Sequence, residues 1–339
     1  MFLFKKLYFY ILPFVLMPIQ VFAHVGYVLS DEAVVARQGT SWRFLSSVFA
    51  DAKNGYLILA TIGFIFAVYL VVEDNKYIRS YITLCQKRAR TYAPLVPWML
   101  RLSLGIALIG AGSSQVLVSP ALHGMGVFAT LQILTGFLLL SGLLLSPATL
   151  VAIFLFLIAF LFDTYMVGSF DFLAAAFALG ILADPKPGVD HIMGIPFVSP
   201  FSDFTRWVPL ILRIGVGSAM IYLALYEKIF NPFLSAEVVL QYGLTDIVPV
   251  SVAMWVFSAG IVELIVGTLL LVGFQTRLMA TAAFVILSLS FFFFGEDVYS
   301  HITLFGVLSA LFVLGGGEAS MDKAGIPKHF SKSIQKAFD

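Results

Sequence analysis

Read for apolar and polar positions, the chain resolves into long apolar runs separated by short polar breaks. Runs long enough to cross a bilayer, or nearly so, fall near 54–72, 95–114, 127–145, 147–166, 170–183, 207–229, 252–273, 278–295 and 298–315. The fifth is short and gains length if it starts near Tyr165. In hydrocarbon every backbone amide needs an internal partner, so runs of this length and polarity predict helices. The expected fold is all-α: a polytopic membrane protein with about nine transmembrane helices.

Composition sharpens the pattern. Of 339 residues, 60% are apolar and 12% charged, about half the charged share of a soluble domain. Mean hydropathy is +0.98. The net charge of +1 offers no basic face to nucleic acid, so the expected surroundings are lipid bilayer. Cys85 is the only cysteine, which excludes an intramolecular disulfide and dithiol exchange.

The first 23 residues read as a signal peptide: Lys5 and Lys6, a short apolar core, and Val21-Phe22-Ala23 before the break. Pro13 and Pro18 make this stretch a poor spanning helix; an uncleaved anchor is the alternative. Cleavage after Ala23 exposes His24, whose amine and imidazole together are able to chelate Cu(II). No His-x-His pair accompanies it, so copper is the minor reading. Counting Lys and Arg sets orientation. Lys76, Arg79, Lys87, Arg88 and Arg90, then Lys186, Arg206 and Arg277, then Lys323, Lys328, Lys332 and Lys336 all fall on one side. The expectation is a multi-pass inner (cytoplasmic) membrane protein with its mature N-terminus outside and its C-terminus in the cytoplasm.

Two stretches read alike. Arg101-x-x-x-Gly105 answers Arg213-x-x-x-Gly217, and Gln132-x-x-x-Gly136 answers Glu263-x-x-x-Gly267, with Gly142 and Gly273 following. Each unit has four helices, an even number, so the repeats are parallel. The expected organisation is a leader 1–23, an exported segment 24–53, and an extra helix with a basic loop 54–94. A first, degenerate four-helix unit 95–190, a second unit 191–322 and a tail 323–339 follow.

The second unit resembles the DoxX-like membrane family. The resemblance rests on the opening Arg213, on Glu227-Lys228-Ile-Phe-Asn-Pro232, on Glu263-x-x-x-Gly267, on the Arg277 turn and on Gly315-Gly-Gly-Glu-Ala-Ser-Met-Asp322. It covers the second unit well and 95–190 more faintly. It implies a four-helix membrane fold and a membrane subunit of a quinone-linked redox system; the cofactor stays open, and the outer polar cluster suits a quinone headgroup, an anion or a metal. The implied partner is a membrane or exported redox subunit docking through 24–53 or the tail. A small-solute transporter or channel, and a scaffold without turnover, are the alternatives.

The sharpest chemical signal is Glu263, near the middle of its run, where a charge costs about 2.5–3.5 kcal/mol on insertion scales. Gly260 and Gly267 share its face, letting a neighbouring helix approach. Either it relays protons or holds a headgroup, or it is a structural pair, with Arg213 the expected partner. Arg213 otherwise snorkels to the headgroups. Glu227, Lys228, Glu296, Asp297 and His301 gather at the outer ends, His301 titrating nearest neutrality. The expectation is one polar cavity open outward, lined by these residues and Glu263 and closed inside by Arg213. The bland alternative is a set of solvated helix ends. In the first unit Gln115, Val116 and Gln132 stand at the positions of Glu227, Lys228 and Glu263; Arg101 corresponds to Arg213, and Asp163 and Asp171 remain near the outer end. No cofactor-binding or zinc-protease motif is present.

Overall fold

The computed structural model describes residues 29, 36–182, 184, 186–195, 199 and 201–325. The expected leader, His24 and all but the first residues of the tail lie outside them. The described residues are helical, with no strand. The principal helices are α1 (Ala52–Asp74), α2 (Lys76–Arg90), α3 (Val96–Ser113), α4 (Ala129–Ser141), α5 (Leu145–Phe162), α6 (Phe170–Leu182), α7 (Val208–Leu223), α8 (Pro232–Gln241), α9 (Val252–Val272), α10 (Thr276–Phe294) and α11 (Val298–Leu314).

Among the described residues six stretches are long and apolar enough to cross a membrane: Ala93–Ser113, Leu145–Phe162, Thr164–Leu182, Ser202–Phe230, Val252–Val272 and Thr276–Phe294. Gly126–Ser141 and Val298–Leu314 are shorter apolar helices. The protein is therefore an all-helical polytopic membrane protein. Each apolar run in the sequence coincides with one of these helices or with α1. The third ends early, because Gly142 takes a left-handed conformation (φ 66°) and stops α4. The fifth gains length as expected, through a 3₁₀ segment over Thr164–Ser169. The basic 73–94 connection is not a loop. It is α2, whose first turn is capped by the Asn75 side chain accepting from the amides of Tyr77 and Ile78.

The two runs of four helices do not sit side by side as separate bundles. Within each run the first helix packs on the second, α3 on α4 and α7 on α9. The last helix of each run, however, packs chiefly on the first helix of the other: α11 on α3, and α6 on α7. Small residues permit this. A Cβ on Gly306 would collide with the Ser103 side chain, and one on Gly215 with Ala174. With no hydrophobic drive between helices in lipid, such close approach supplies the packing. One core runs through both halves, from Leu104, Phe156 and Leu179 to Leu212, Leu270 and Leu311.

A second set of contacts occurs twice. A Cβ on Gly105 would lie 2.9 Å from the Gly136 carbonyl oxygen, and one on Gly217 would lie 2.9 Å from that of Gly267. Arg101 donates to the carbonyls of Leu139 (3.0 Å) and Leu140 (3.2 Å). Arg213 donates to those of Leu271 (2.9 Å), Glu318 (3.0 Å) and Ala319 (3.1 Å). After each turn a carboxylate caps the next helix. Asp190 accepts from Leu144 and Leu145 amides at 3.0 and 3.1 Å, and Asp322 from Gln275 and Thr276 amides at 2.7 and 2.9 Å. Leu144 (φ 51°) and Gln275 (φ 50°) are left-handed at matching places.

The opposite end of the bundle carries a cap. α8 and the short helix Leu244–Ile247 cover it, with Ala236, Val239, Leu244, Trp255 and Val256 packed around Leu45. Residues 36–50 lie on this cap: Val48 is buried with Ala253 and Met254, and Arg37 pairs with Glu237 at 3.1 Å.

Candidate functional site

α7 does not stop at Leu223. It continues as a π-helix over Ala224–Phe230, a wider winding that is rare and concentrates at functional sites. Two adjacent charged residues, Glu227 and Lys228, are thereby both turned inward, at 1% and 3% exposure. Lys228 Nζ lies 3.0 Å from Glu227 Oε2 and 3.0 Å from Glu263 Oε2. Gly260, on the same face of α9 as Glu263, makes the approach possible: a Cβ there would sit 3.0 Å from Lys228 Cβ. Tyr165, in the 3₁₀ segment before α6, donates its hydroxyl to Glu227 Oε1. Its ring stands edge-on to Tyr226 and Tyr222, which stack on each other at 5.5 Å.

The result is one ammonium between two carboxylates, buried among apolar helices. Removing three charges from water is costly, and their mutual attraction offsets this only where each finds partners. The arrangement borders a narrow, partly open pocket with about 410 Å³ of empty space, its open side included. Glu227, Lys228 and Glu263 form its polar part, and Met220, Leu223, Leu287 and Leu304 its apolar wall. Asp171, in the first turn of α6, and Gly168 also line it. A polar floor with a greasy wall suits an amphiphile: a ligand with a hydrogen-bonding head and a hydrocarbon body.

Among the described residues no group of three or more His, Cys, Asp or Glu is placed to hold a metal ion. Glu227 and Glu263 are satisfied by an ammonium instead.

Residues 208–296 match the DoxX family model, a stretch running from the start of α7 to the turn before α11. Over that stretch the chain is similar to DoxX membrane proteins. No curated protein and no solved structure matches it. Every member of the buried triad falls inside the DoxX-like stretch, while Tyr165 and Asp171, which reach it from the first half, lie outside.

The residues singled out in the DoxX-like stretch and in α11 divide into three groups. Glu227, Lys228 and Glu263 come together as one site. Arg213 does not partner Glu263 and does not close the cavity. Its guanidinium turns to the carbonyls at the end of α9 and in the 318–319 turn, acceptors left unpaired by the helix ends. His301 and Glu296 form a separate buried pair, Nε2 to Oε2 at 3.2 Å, beside Phe291 and Phe305. Asp297 is exposed, at the N-terminus of α11. None of these three lines the cavity, because α11 turns His301 toward α10 and presents Leu304 instead. In the first half, Gln132 Oε1 accepts from the Val118 amide at 2.9 Å and Nε2 donates to the Val116 carbonyl at 2.8 Å. Gln115 holds a left-handed turn at φ 57°. Arg101 does what Arg213 does. Tyr165 carried no distinguishing sequence signal, since one Tyr between two apolar runs is ordinary.

Proposed function

We propose that this DoxX-like protein is the membrane subunit of a quinone-linked redox system and that the cavity beside Glu227, Lys228 and Glu263 takes the quinone headgroup. The observation that carries this reading is the charged triad at one side of a cavity whose remaining wall is apolar except for Asp171. A quinone is such an amphiphile: Lys228 would donate to a carbonyl oxygen, and Glu227 or Glu263 would accept from a quinol hydroxyl. Tyr165 would hold Glu227 in place through its hydroxyl. The distribution of Lys and Arg supports placing the α8 cap outside the inner membrane and residues 315–325 on the cytoplasmic side. The paired contacts of Arg101 and Arg213, and of Asp190 and Asp322, support descent from two parallel four-helix repeats. In that account the first repeat is scaffold and the second binds ligand. Residues 36–50 use their buried side chains on the protein's own cap, so the redox partner would meet the outer faces of that cap.

The test is binding. Protein purified in mild detergent is expected to carry extractable quinone and to bind decylubiquinone in a saturable titration. Glu263→Gln is expected to weaken binding about tenfold or more, the loss of one charged hydrogen bond. A folded Glu263→Gln variant that binds as well as the parent, or a parent that does not bind, removes the reading.

A further inference from the structure

α2 (Lys76–Arg90) takes no part in the buried triad, and its two ends fix its place in the fold. Asn75 breaks the helical winding with an extended backbone (φ −81°, ψ 102°), so α2 does not continue α1. Only Thr91 and Tyr92 separate it from Ala93–Ser113, a stretch long and apolar enough to cross the membrane. α3 and α11 run in opposite directions, since Ser103 meets Gly306 and Gly110 meets Tyr299. The start of α3 and the end of α11 therefore share the end of the bundle away from the cap, and α2 packs on α11 there. A two-residue link reaches on the order of 10 Å at full stretch, so α2 stays at the level where the span leaves the hydrocarbon.

The helical period divides α2 into rows. Ile78, Cys85 and Ala89 form the row that the protein covers, half-buried or buried. Tyr77, Tyr81 and Leu84 form the next row and are 75%, 69% and 46% exposed. Lys76, Ser80 and Lys87 form a third, also exposed. An apolar row thus lies open beside a polar one, on a helix tied to a membrane span. What adjoins the bundle at that level is the boundary between headgroups and acyl chains. Tyrosine suits this boundary, with its ring in the apolar layer and its hydroxyl among the headgroups.

Charge identifies the lipid. α2 carries Lys76, Arg79, Lys87, Arg88 and Arg90 and no Asp or Glu. Among the described residues Lys76, Lys87, Arg88 and Arg90 form no ion pair with a protein carboxylate. Cations gathered on one helix without an acid repel one another, and an anionic surface relieves that repulsion. A zwitterionic phospholipid balances its phosphate with its own amine; a phospholipid of net negative headgroup does not. A free phosphate ion would meet the cations and leave the tyrosine row in water. We propose that α2 is an interfacial helix that binds phospholipids of net negative headgroup, with Tyr77, Tyr81 and Leu84 in the acyl-chain boundary and Lys76, Lys87, Arg88 and Arg90 on the phosphodiester groups. The proposal does not depend on the quinone reading.

The single cysteine, Cys85, allows one reporter at a time in a full-length Cys85→Ala background. Tyr81→Cys and Ser80→Cys are each labelled with NBD and reconstituted into phosphatidylcholine vesicles containing phosphatidylglycerol. The expected result is blue-shifted emission at position 81, shielded from acrylamide, and water-exposed emission at position 80, quenched by acrylamide. A headgroup nitroxide on phosphatidylglycerol should quench position 81 at least about threefold more than the same nitroxide on phosphatidylcholine. That excess should shrink with added salt. Replacing Lys76, Lys87, Arg88 and Arg90 together by Gln should abolish the excess and leave the blue shift. Should Tyr81→Cys not fold, Leu84→Cys takes its place. Equal quenching by the two lipids, or an excess that survives the four Gln substitutions, would overturn the proposal. So would acrylamide reaching positions 80 and 81 alike, which would return this face to water and to a protein partner. A failure here leaves decylubiquinone binding untouched, and the converse holds.

Discussion

Gln132 on α4 and Glu263 on α9 occupy matching places beside a pair of close-packed glycines, yet they solve different problems. Gln132 reaches the backbone that follows α3 and satisfies one carbonyl and one amide, at 2.8 and 2.9 Å. Both sides of that contact are neutral, and it holds a loop in place. Glu263 reaches the end of α7 and meets the ammonium of Lys228, with Glu227 on its other side. The backbone is not what differs. The glycine contacts, the arginine-bound carbonyls and the aspartate caps recur in both halves, so packing alone does not require charge at this depth. A neutral amide suffices in one half, so the charge in the other is not required by the shared packing, which supports the proposed ligand site.

The comparison breaks most readily at Lys228. Lys228→Met leaves two buried carboxylates without their cation, and a loss of about 3–5 kcal/mol is expected, read as a fall in folded, monodisperse protein. Combining it with Glu263→Gln, which copies the neutral half, should restore much of that protein. No restoration would mean that the triad is not an electrostatic unit. A smaller effect tests the shared part. Arg101→Ala and Arg213→Ala each strand buried carbonyls, and each should cost about 2–4 kcal/mol. The two losses are expected to be similar in thermal unfolding, whereas a much greater sensitivity at Arg213 would tie that residue to the triad after all. The smallest effect is a pH slope. Glu296 lies in the turn between α10 and α11; burial, followed by the charge of Glu227, pushes its carboxyl from the usual 4.5 up to about 8. The folded state therefore holds this proton more tightly than the unfolded chain. The contribution to stability is full below pH 4.5, declines as pH rises, and is gone above about 8. Glu296→Gln should flatten the fall in Tm between pH 5 and 8; an unchanged slope would assign it to other groups, His301 at 3.2 Å first among them.

The helices were legible because hydrocarbon leaves the backbone no other choice, and the runs of apolar residues mark them directly. The Arg–Gly and Glu–Gly spacings also pointed to close contacts that the glycines make. Glu263 could be singled out by its depth, but its partner could not. Arg213 lies well inside its apolar run and so looked like the partner, and Lys228 looked like a helix-end residue. What reversed the two was the π-winding over 224–230, which carries Lys228 inward and which no local residue preference announces. The role of Arg213 was readable in part: an arginine repeated with a glycine turn downstream, Gly142 or Gly273, and an aspartate beyond, Asp190 or Asp322, is a helix-end device seen twice. Asp297 was misplaced because adjacency to Glu296 says nothing about which side of a turn each residue takes.

The crossed packing of α11 on α3 and α6 on α7 also governs how the protein can be made. α3 is among the first helices to leave the ribosome, and the face it offers to α11 is filled only by the last principal helix. At ~5–20 residues per second that interval is on the order of 10 s or more. Until then Ser103 and Gly110 look onto lipid or onto whatever insertion factor shelters them, rather than onto Gly306 and Tyr299. The first half cannot mature as a finished module while the second is still being synthesised. A chain cut short before α11 would therefore lose more than its end: it would leave an unfilled seam along its earliest helix, the kind of defect that membrane quality control is positioned to recognise.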